Sequence, residues 1–384
     1  MQPAGLFIWS QFLPADRHPS FVRARHLTQT HETLRFDLAA PFAAAGAMAL
    51  IAGGSAGGLA EAIAAAVLIW NVFAVLHHSE VLARRAGQPL GTLVLTLAVT
   101  AVEVSVIFSV MLSGAENPTL AREAVFSTIM IVTTGVVGIC LLRAGWNGRA
   151  AEHNSQATSA YLTVLITLAG LALVLPNYTV TTEAGTLSDG QLEYVAIAAL
   201  LLYGSFLYIQ TTLLKKDFVG EEEGPDGEKP ENRRVVLSAV FLVLSLAAVV
   251  TLADAVAEPL EVFFASSGLA DPEAVVGMFV AAVVLLPEGI NAVRASNSRS
   301  SQQSLNIALG SALATIGLTI PAVIAGSFLT GQKLELGLGG SEQTLLVLAL
   351  SVSMVSFGTG RTNVLTGLVH LVLFGAFVLT RFLP

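Results

Sequence analysis

Apolar residues fall in long blocks along this chain, separated by short polar stretches that hold most of its charge. A membrane helix needs about 20 mostly apolar residues, because the hydrocarbon core is about 30 Å thick. Eleven blocks meet or approach that length, at roughly 37–55, 57–79, 89–112, 123–145, 157–176, 191–214, 234–257, 272–294, 303–328, 342–358 and 362–381, with the tenth the shortest. The alternation of apolar and polar positions expected of a membrane β-strand is missing, which argues against a barrel. The pattern predicts an all-α integral membrane protein of about eleven transmembrane helices.

Composition agrees. Of 384 residues, 54% are hydrophobic and only 12% charged, against about 25% charged in an ordinary soluble domain. So few charges cannot coat a globule of this length, which excludes a large soluble enzyme. The net charge of −8 and the lack of a long basic run argue against nucleic acid as a partner. Cys140 is the one cysteine, so an intrachain disulfide and a multi-thiolate zinc site are excluded. The opening MQPAGLFIWSQ lacks the basic and apolar regions of a signal peptide. Lys and Arg side with one face: Arg122, Lys333 and Arg381 alone fall opposite the other sixteen. The positive-inside rule then predicts a cytoplasmic N-terminus and an odd number of spans.

Two soluble stretches punctuate the blocks. Residues 1–36, with His18, His26 and His31, read as a cytoplasmic tail. Residues 215–233 read as a cytoplasmic linker with an acidic cluster of Glu221, Glu222, Glu223, Asp226 and Glu228, and a solvated loop is the expected form of such a run. With 37–56 set aside as an extra helix, the linker leaves five spans on each side, at 57–214 and 234–384. An odd number makes the second set enter from the opposite face, which is the inverted repeat of many secondary transporters. The residues follow that symmetry. Glu103 precedes Ser127 by 24 positions and Glu288 precedes Ser311 by 23, each acid on the second helix of its five and each serine on the third. Glu80 and Asp254 lie at opposite ends of the preceding helices, 23 and 34 residues from the central acids, which leaves Glu258 or Glu261 as other counterparts.

A carboxylate at the bilayer midplane costs about 2.5–3.5 kcal/mol and usually marks an ion or proton path. Neither central acid has a Lys or Arg inside its own span as a partner, Arg294 standing only at the end of the block that holds Glu288, so each should hold a proton unless a cation replaces it. Competition of proton and cation for one carboxylate pair is the core of antiport. Pro287 and Gly289 flank Glu288, and a helix broken there would free backbone carbonyls. Thr100, Ser127, Thr128, Asn306 and Ser311 could add side-chain oxygens for a hard cation. Glu80, with Asp254 or Glu258, would draw cations into the two mouths.

The run PEGINAVRASNSRSSQQSLNIALGSALATIGLTIP resembles the second α-repeat of the bacterial calcium/proton antiporters, in the cation/calcium exchanger superfamily, and in particular the subgroup that also exchanges sodium or potassium for protons. SEVLARRAGQPLGTL followed by TAVEV resembles the first repeat, and the layout is similar over about 57–384. The resemblance implies that Glu103 and Glu288 are the paired acids of a transport site, with Ser127 and Ser311 nearby. It implies Ca²⁺, Na⁺ or K⁺ and H⁺ as transported ions, no cofactor, and a bacterial inner-membrane location. The family's Gly-Asn pair before each acid is replaced by Val99-Thr100 and Val284-Leu285. That removes amide oxygens suited to calcium and leaves monovalent exchange open.

Two other classes compete. An intramembrane zinc protease needs HExxH, which is absent, and a serine protease needs GxSxG with a facing histidine, for which only His370 lies in a late span. A passive channel could use the same acids as a filter, whereas inverted repeats favour alternating access.

Overall fold

The structure, a computed structural model, describes residues 37–52, 58–87, 90–112, 118–146, 151–214, 218, 230–266, 272–296 and 301–383. The expected tail at 1–36 and nearly all of the linker at 215–233 lie outside these residues. Each apolar block forms a helix: α1 Asp37–Ala52, α2 Gly58–Ala86, α3 Leu90–Leu112, α4 Leu120–Gly145, α5 Ser155–Tyr178, α6 Asp189–Leu213, α7 Asn232–Ser266, α8 Pro272–Ala295, α9 Gln302–Thr330, α10 Gly340–Phe357 and α11 Val364–Phe382. Nine are long and apolar enough to cross a membrane, which makes this a multi-pass membrane protein. α1 is shorter, and the apolar stretch described within α3 is Leu97–Phe108. The described residues thus give nine candidate spans where the sequence pattern predicts about eleven.

Two helices outrun their apolar blocks. α2 continues through HHSEVLARRA and ends on Arg84 and Arg85, whose charges suit the negative C-terminus of a helix. α7 runs on past Pro259.

Loop contacts fix the direction of each helix. At one end Glu335 N donates to Pro118 O, Leu336 N to Gly185 O and Leu338 N to Leu173 O, so the α3/α4, α5/α6 and α9/α10 connections meet. At the other end β1 (Ala151–Glu152) pairs antiparallel with β2 (Arg361–Thr362), and Ser301 N donates to Glu152 O. That gathers the α4/α5, α8/α9 and α10/α11 connections. α4 and α9, the third helices of the two sets, therefore run in opposite directions, as inversion requires. Packing follows the same exchange: α4 lies against α8 and α11, while α9 lies against α3 and α6. α4 and α9 are also the most enclosed spans, with 78% and 72% of their apolar windows buried against 28–50% in the other seven. Gly138 and Gly367 let α4 and α11 touch backbone to backbone, because a Cβ on Gly367 would sit 2.7 Å from Leu142 N. Small residues serve this purpose where lipid offers no hydrophobic drive for association.

Side chains pack into two apolar bodies. One is built largely on α4, α5, α6, α9 and α10, the other on α1, α2 and α7. α3 and α8 lie between them. They give Val102, Val106, Val283 and Val284 to the second body, and Ile107, Leu285 and Ala292 to the first.

An ion network clamps the first body at the sparsely basic end. Arg381, 3% exposed, donates to Glu123 Oε2 at 2.7 Å and pairs with Glu342 Oε1 at 2.6 Å, over the rings of Phe126 and Phe377. Arg122 bonds Glu123 Oε1 at 2.9 Å and Glu335 Oε1 at 2.7 Å. Two of the three basic residues that the sequence places opposite the rest are thus neutralised together. Removing one partner of a buried pair strands the other, at a cost of about 3–5 kcal/mol. Arg381→Met should lower the apparent Tm in detergent by several degrees, and Glu123→Gln added to it should recover part of the loss. Unchanged melting of the single variant would show that the network holds nothing together.

Candidate functional site

Glu103 is 5% exposed, in the middle of α3. Its carboxyl faces hydroxyls from two other helices. Thr315 donates to Oε2 at 2.8 Å and Thr319 at 3.3 Å from α9, and Thr128 donates to Oε1 at 3.5 Å from α4. Glu288, half-buried on α8, accepts a hydrogen bond from Ser311 of α9 at Oε2. Glu103 lies close enough to Glu288 to feel its charge. Neither takes part in any ion pair among the described residues. Beside Glu288 a small apolar cavity opens between α2, α3 and α8, lined by Val72, Val75, Leu76, Val99, Val102 and Val284.

The backbone that presents these hydroxyls is not regular. α4 widens into a π turn at Ile131–Val136 and α9 into one at Thr315–Thr319, so the two counterpart helices share the distortion. Single π turns in α-helices are rare and cluster at functional sites. In α4 the turn makes Val137 N–H reach back to Val132 O and pass over the carbonyl of Thr133. The ring Nδ1 of His370 on α11 takes that carbonyl at 2.7 Å, and its Nε2 meets Ser356 Oγ at 3.0 Å. His370 is a buried brace for the π turn. On α9 the turn is capped differently, with Tyr203 of α6 seated against Gly317, where a Cβ would come within 2.8 Å.

The sequence-predicted residues meet the geometry unevenly. Glu103, Glu288, Thr128 and Ser311 come together, and Thr100 is buried one turn before Glu103. Ser127 is fully buried beside Thr128, and its hydroxyl has no hydrogen-bond partner among the described residues. Asn306 does not join them: it donates to Phe218 O at 2.6 Å and accepts from Gln302 at 2.7 Å, so its amide is occupied a turn away. Nor does the helix break at Pro287. α8 runs unbroken through it, because proline removes one backbone donor without unwinding its neighbours when the surroundings hold the helix. π turns lie instead in α4 and α9, and also in α5 at Gly170–Val174 and in α6 at Ile209–Leu213. Glu80 stands toward the basic end of α2, near Arg84, away from the pair. Asp254, Glu258 and Glu261 fall on α7, and their side chains lie outside the described residues.

Thr315 and Thr319 are absent from the sequence-based set of ligands. Their signal is the i, i+4, i+8 stripe of Ser311, Thr315 and Thr319 in SALATIGLT, which places three hydroxyls along one helical face. A hydroxyl has one donor and two acceptor sites. Such a ring can donate to empty carboxylates, then turn its lone pairs toward a bound cation.

Comparison with known proteins places this architecture. Residues 58–212 and 237–383 match the family described as Sodium/calcium exchanger protein. The chain is 43% identical over 325 residues to the putative ionic transporter y4hA of Sinorhizobium fredii, covering 84% of this chain and 88% of that protein. It is 38% identical over 321 residues to the sodium-potassium/proton antiporter ChaA of Escherichia coli, covering 82% and 86%. Its fold is similar to that of native YfkE, with a TM-score of 0.69 at 18% identity over 89% of this chain and 99% of that one. It is likewise similar to the H⁺/Ca²⁺ exchanger CAX, with a TM-score of 0.67 at 15% identity over 91% and 89%. With two inverted halves that each carry one carboxylate to a shared centre, and a family match across both, the chain belongs to the sodium/calcium exchanger family of the cation/calcium exchanger superfamily.

Proposed function

We propose that this protein is a secondary active antiporter, exporting Ca²⁺ or a monovalent cation, Na⁺ or K⁺, in exchange for H⁺ by alternating access at Glu103 and Glu288. The observation that carries this reading is the pair itself: two acids on counterpart helices, enclosed by hydroxyls and without a fixed cation among the described residues. A buried carboxylate must be neutralised, and here a proton or a transported cation does so. Each excludes the other, and that exclusion is the coupling. The pair lies where the two apolar bodies meet, so relative movement of those bodies would turn it to one face and then the other. The printed name of the relative from Escherichia coli, a sodium-potassium/proton antiporter, supports exchange of monovalent cations. So do Val99 and Val284, which put apolar surface in the cavity beside Glu288 where calcium, with six to eight oxygen ligands, would need amides.

Glu103→Gln and Glu288→Gln should each abolish exchange in everted vesicles, read with a pH dye after addition of each cation chloride, while insertion and monodispersity persist. Glutamine keeps volume and hydrogen bonding but carries neither proton nor charge. Near-normal exchange by either variant would remove that residue from the mechanism. Cation flux without proton flux in the parent would make the protein a channel.

Proton competition also sets the sign of the pH dependence. Acid fills the pair with protons and weakens cation binding; alkali empties it and strengthens binding. Cation affinity of the purified protein should therefore rise from about pH 6 to about pH 9. A flat profile would mean that protons and cations use separate sites.

The mouths are tested by Glu80→Gln and Asp254→Asn. If these acids concentrate cations by local attraction, neutralising them raises the apparent KM more than it lowers the maximal rate. Silence of both variants at low ionic strength would leave them as ordinary interfacial residues.

A further inference from the structure

Unpaired buried polar groups are rare in folded proteins and each calls for an explanation. Here they concentrate on one pair of helices. Asn71 Oδ1, His77 Nε2 and both ring nitrogens of His78 on α2 have no partner in hydrogen-bond geometry among the described residues, and neither do Arg234 Nε and Nη2, Ser238 Oγ and Ser245 Oγ on α7. His78 lies beside the Asp37 backbone without reaching such geometry. Apart from α2 and α7, such atoms are found at Ser127, His153 and Arg381. Asn71, His78 and Ser245 are 0% exposed and Ser238 1%, so lipid is shut out and no water-sized space touches these groups in this packing of the seam.

Register aligns these groups in a column. The ring of His78 stands 5.8 Å from that of Phe241, and Arg85 donates to Asn232 at 2.7 Å. Rising numbers on α2 thus meet falling numbers on α7, and the two helices are antiparallel. Seven residues make two turns, about 10 Å. Asn71 and His78 therefore share one face of α2, and Ser238 and Ser245 share one face of α7 on either side of Phe241. Asn71 lands opposite the turn that follows Ser245. α1 covers this side, because Asn71 Nδ2 donates to Ala40 O at 3.1 Å and Asp37 Oδ2 lies 3.5 Å from His77 Nδ1. Beyond Asn71 and Ser245 the same interface turns apolar, with Ala64, Leu68, Val249, Leu252 and Val256. Half of the seam is polar and half is dry.

We propose that the seam between α1, α2 and α7 opens into a narrow hydrated half-channel, which admits water and protons from the Arg84/Arg234 end to the level of Asn71 and Ser245. Val75, Val249 and Val284 belong to the apolar body beyond that level. Buried water needs two to four polar partners, and the unpaired groups on both helices offer them once the seam opens. Asp37, His77, Glu80, Arg84 and Arg234 surround the mouth. The route is separate from the apolar cavity beside Glu288, so it brings protons near the pair without sharing a path with the cation. This last function rests on the antiport reading above; the hydration does not.

The full-length chain with Cys140→Ser gives a thiol-free background, since it has one cysteine. Ser238→Cys and Ser245→Cys are compared with Val243→Cys, whose site is 65% exposed toward lipid, and Leu252→Cys, on the dry part of the seam. Ag⁺ is applied to sealed vesicles of each orientation, and thiols still free are counted with maleimide after denaturation. Thiols react as thiolates, which require water, so the two seam positions should react at least about tenfold faster than both controls. They should do so from the face bearing Arg84 and Arg234. Equal, slow reaction at all four positions would overturn the half-channel, whether or not the protein transports. For the proton route, Ser245→Val is set against the isosteric Ser245→Thr. Valine should lower the maximal exchange rate about threefold or more with KM unchanged, and threonine should restore it. If valine exchanges normally and melts higher, the hydroxyl is a packing defect and the proton route is wrong.

Discussion

Two carboxyl groups held in the middle of a membrane protein with no permanent counter-cation among the described residues set the terms for everything around them. The energy of an isolated charge in hydrocarbon is prohibitive, so the fold must supply something at each carboxyl that favours it without neutralising it for good. Hydroxyls meet that need. Thr128, Thr315 and Thr319 at Glu103, and Ser311 at Glu288, donate while the site is empty and have lone pairs to offer when it is full. A lysine or arginine in the same place would satisfy the acids once and, on the antiport reading proposed above, end the exchange of proton for cation.

Permanent charges are kept apart from this centre. Arg122, Glu123, Glu342 and Arg381 are tied together at one end of the molecule, while Arg85 bonds Asn232 and Arg361 pairs with Glu152 at the other. The anchors hold helix ends in register, so the middle can stay soft in its electrostatics and firm in its packing. The π turns of α4 and α9 have different neighbours: His370 takes a carbonyl that the α4 turn leaves over, and Tyr203 packs closely against Gly317 in the α9 turn.

The symmetry between the halves is one of position more than of chemistry. Glu103 and Glu288 occupy the same place in their repeats, yet Glu103 draws its hydroxyls from both halves while Glu288 has Ser311 from its own. Ser127, the counterpart of Ser311, has no hydrogen-bond partner for its hydroxyl among the described residues. An inverted repeat with unequal halves thus gives the two acids different surroundings.

Much of this was legible along the chain. Apolar runs long enough to span lipid marked the helices, and two acids at matching positions marked the candidate centre. These signals are strong because the bilayer penalises every exception by several kcal/mol. Asn306 shows where the sequence stops. As a residue type it is a sound ligand, and only the packing of Phe218 and Gln302 against it occupies its amide elsewhere. Pro287 reads as a helix breaker, yet α8 passes through it, because neighbouring helices decide whether one missing donor unwinds a turn. Thr315 and Thr319 belong to the half of the chain opposite Glu103 and reach it through tertiary structure alone. What a residue can do is set by its own chemistry, and so by the sequence; which partner occupies it is set largely by contacts between distant parts of the chain, 88 positions between Asn306 and Phe218 and 212 between Glu103 and Thr315, that no local pattern encodes.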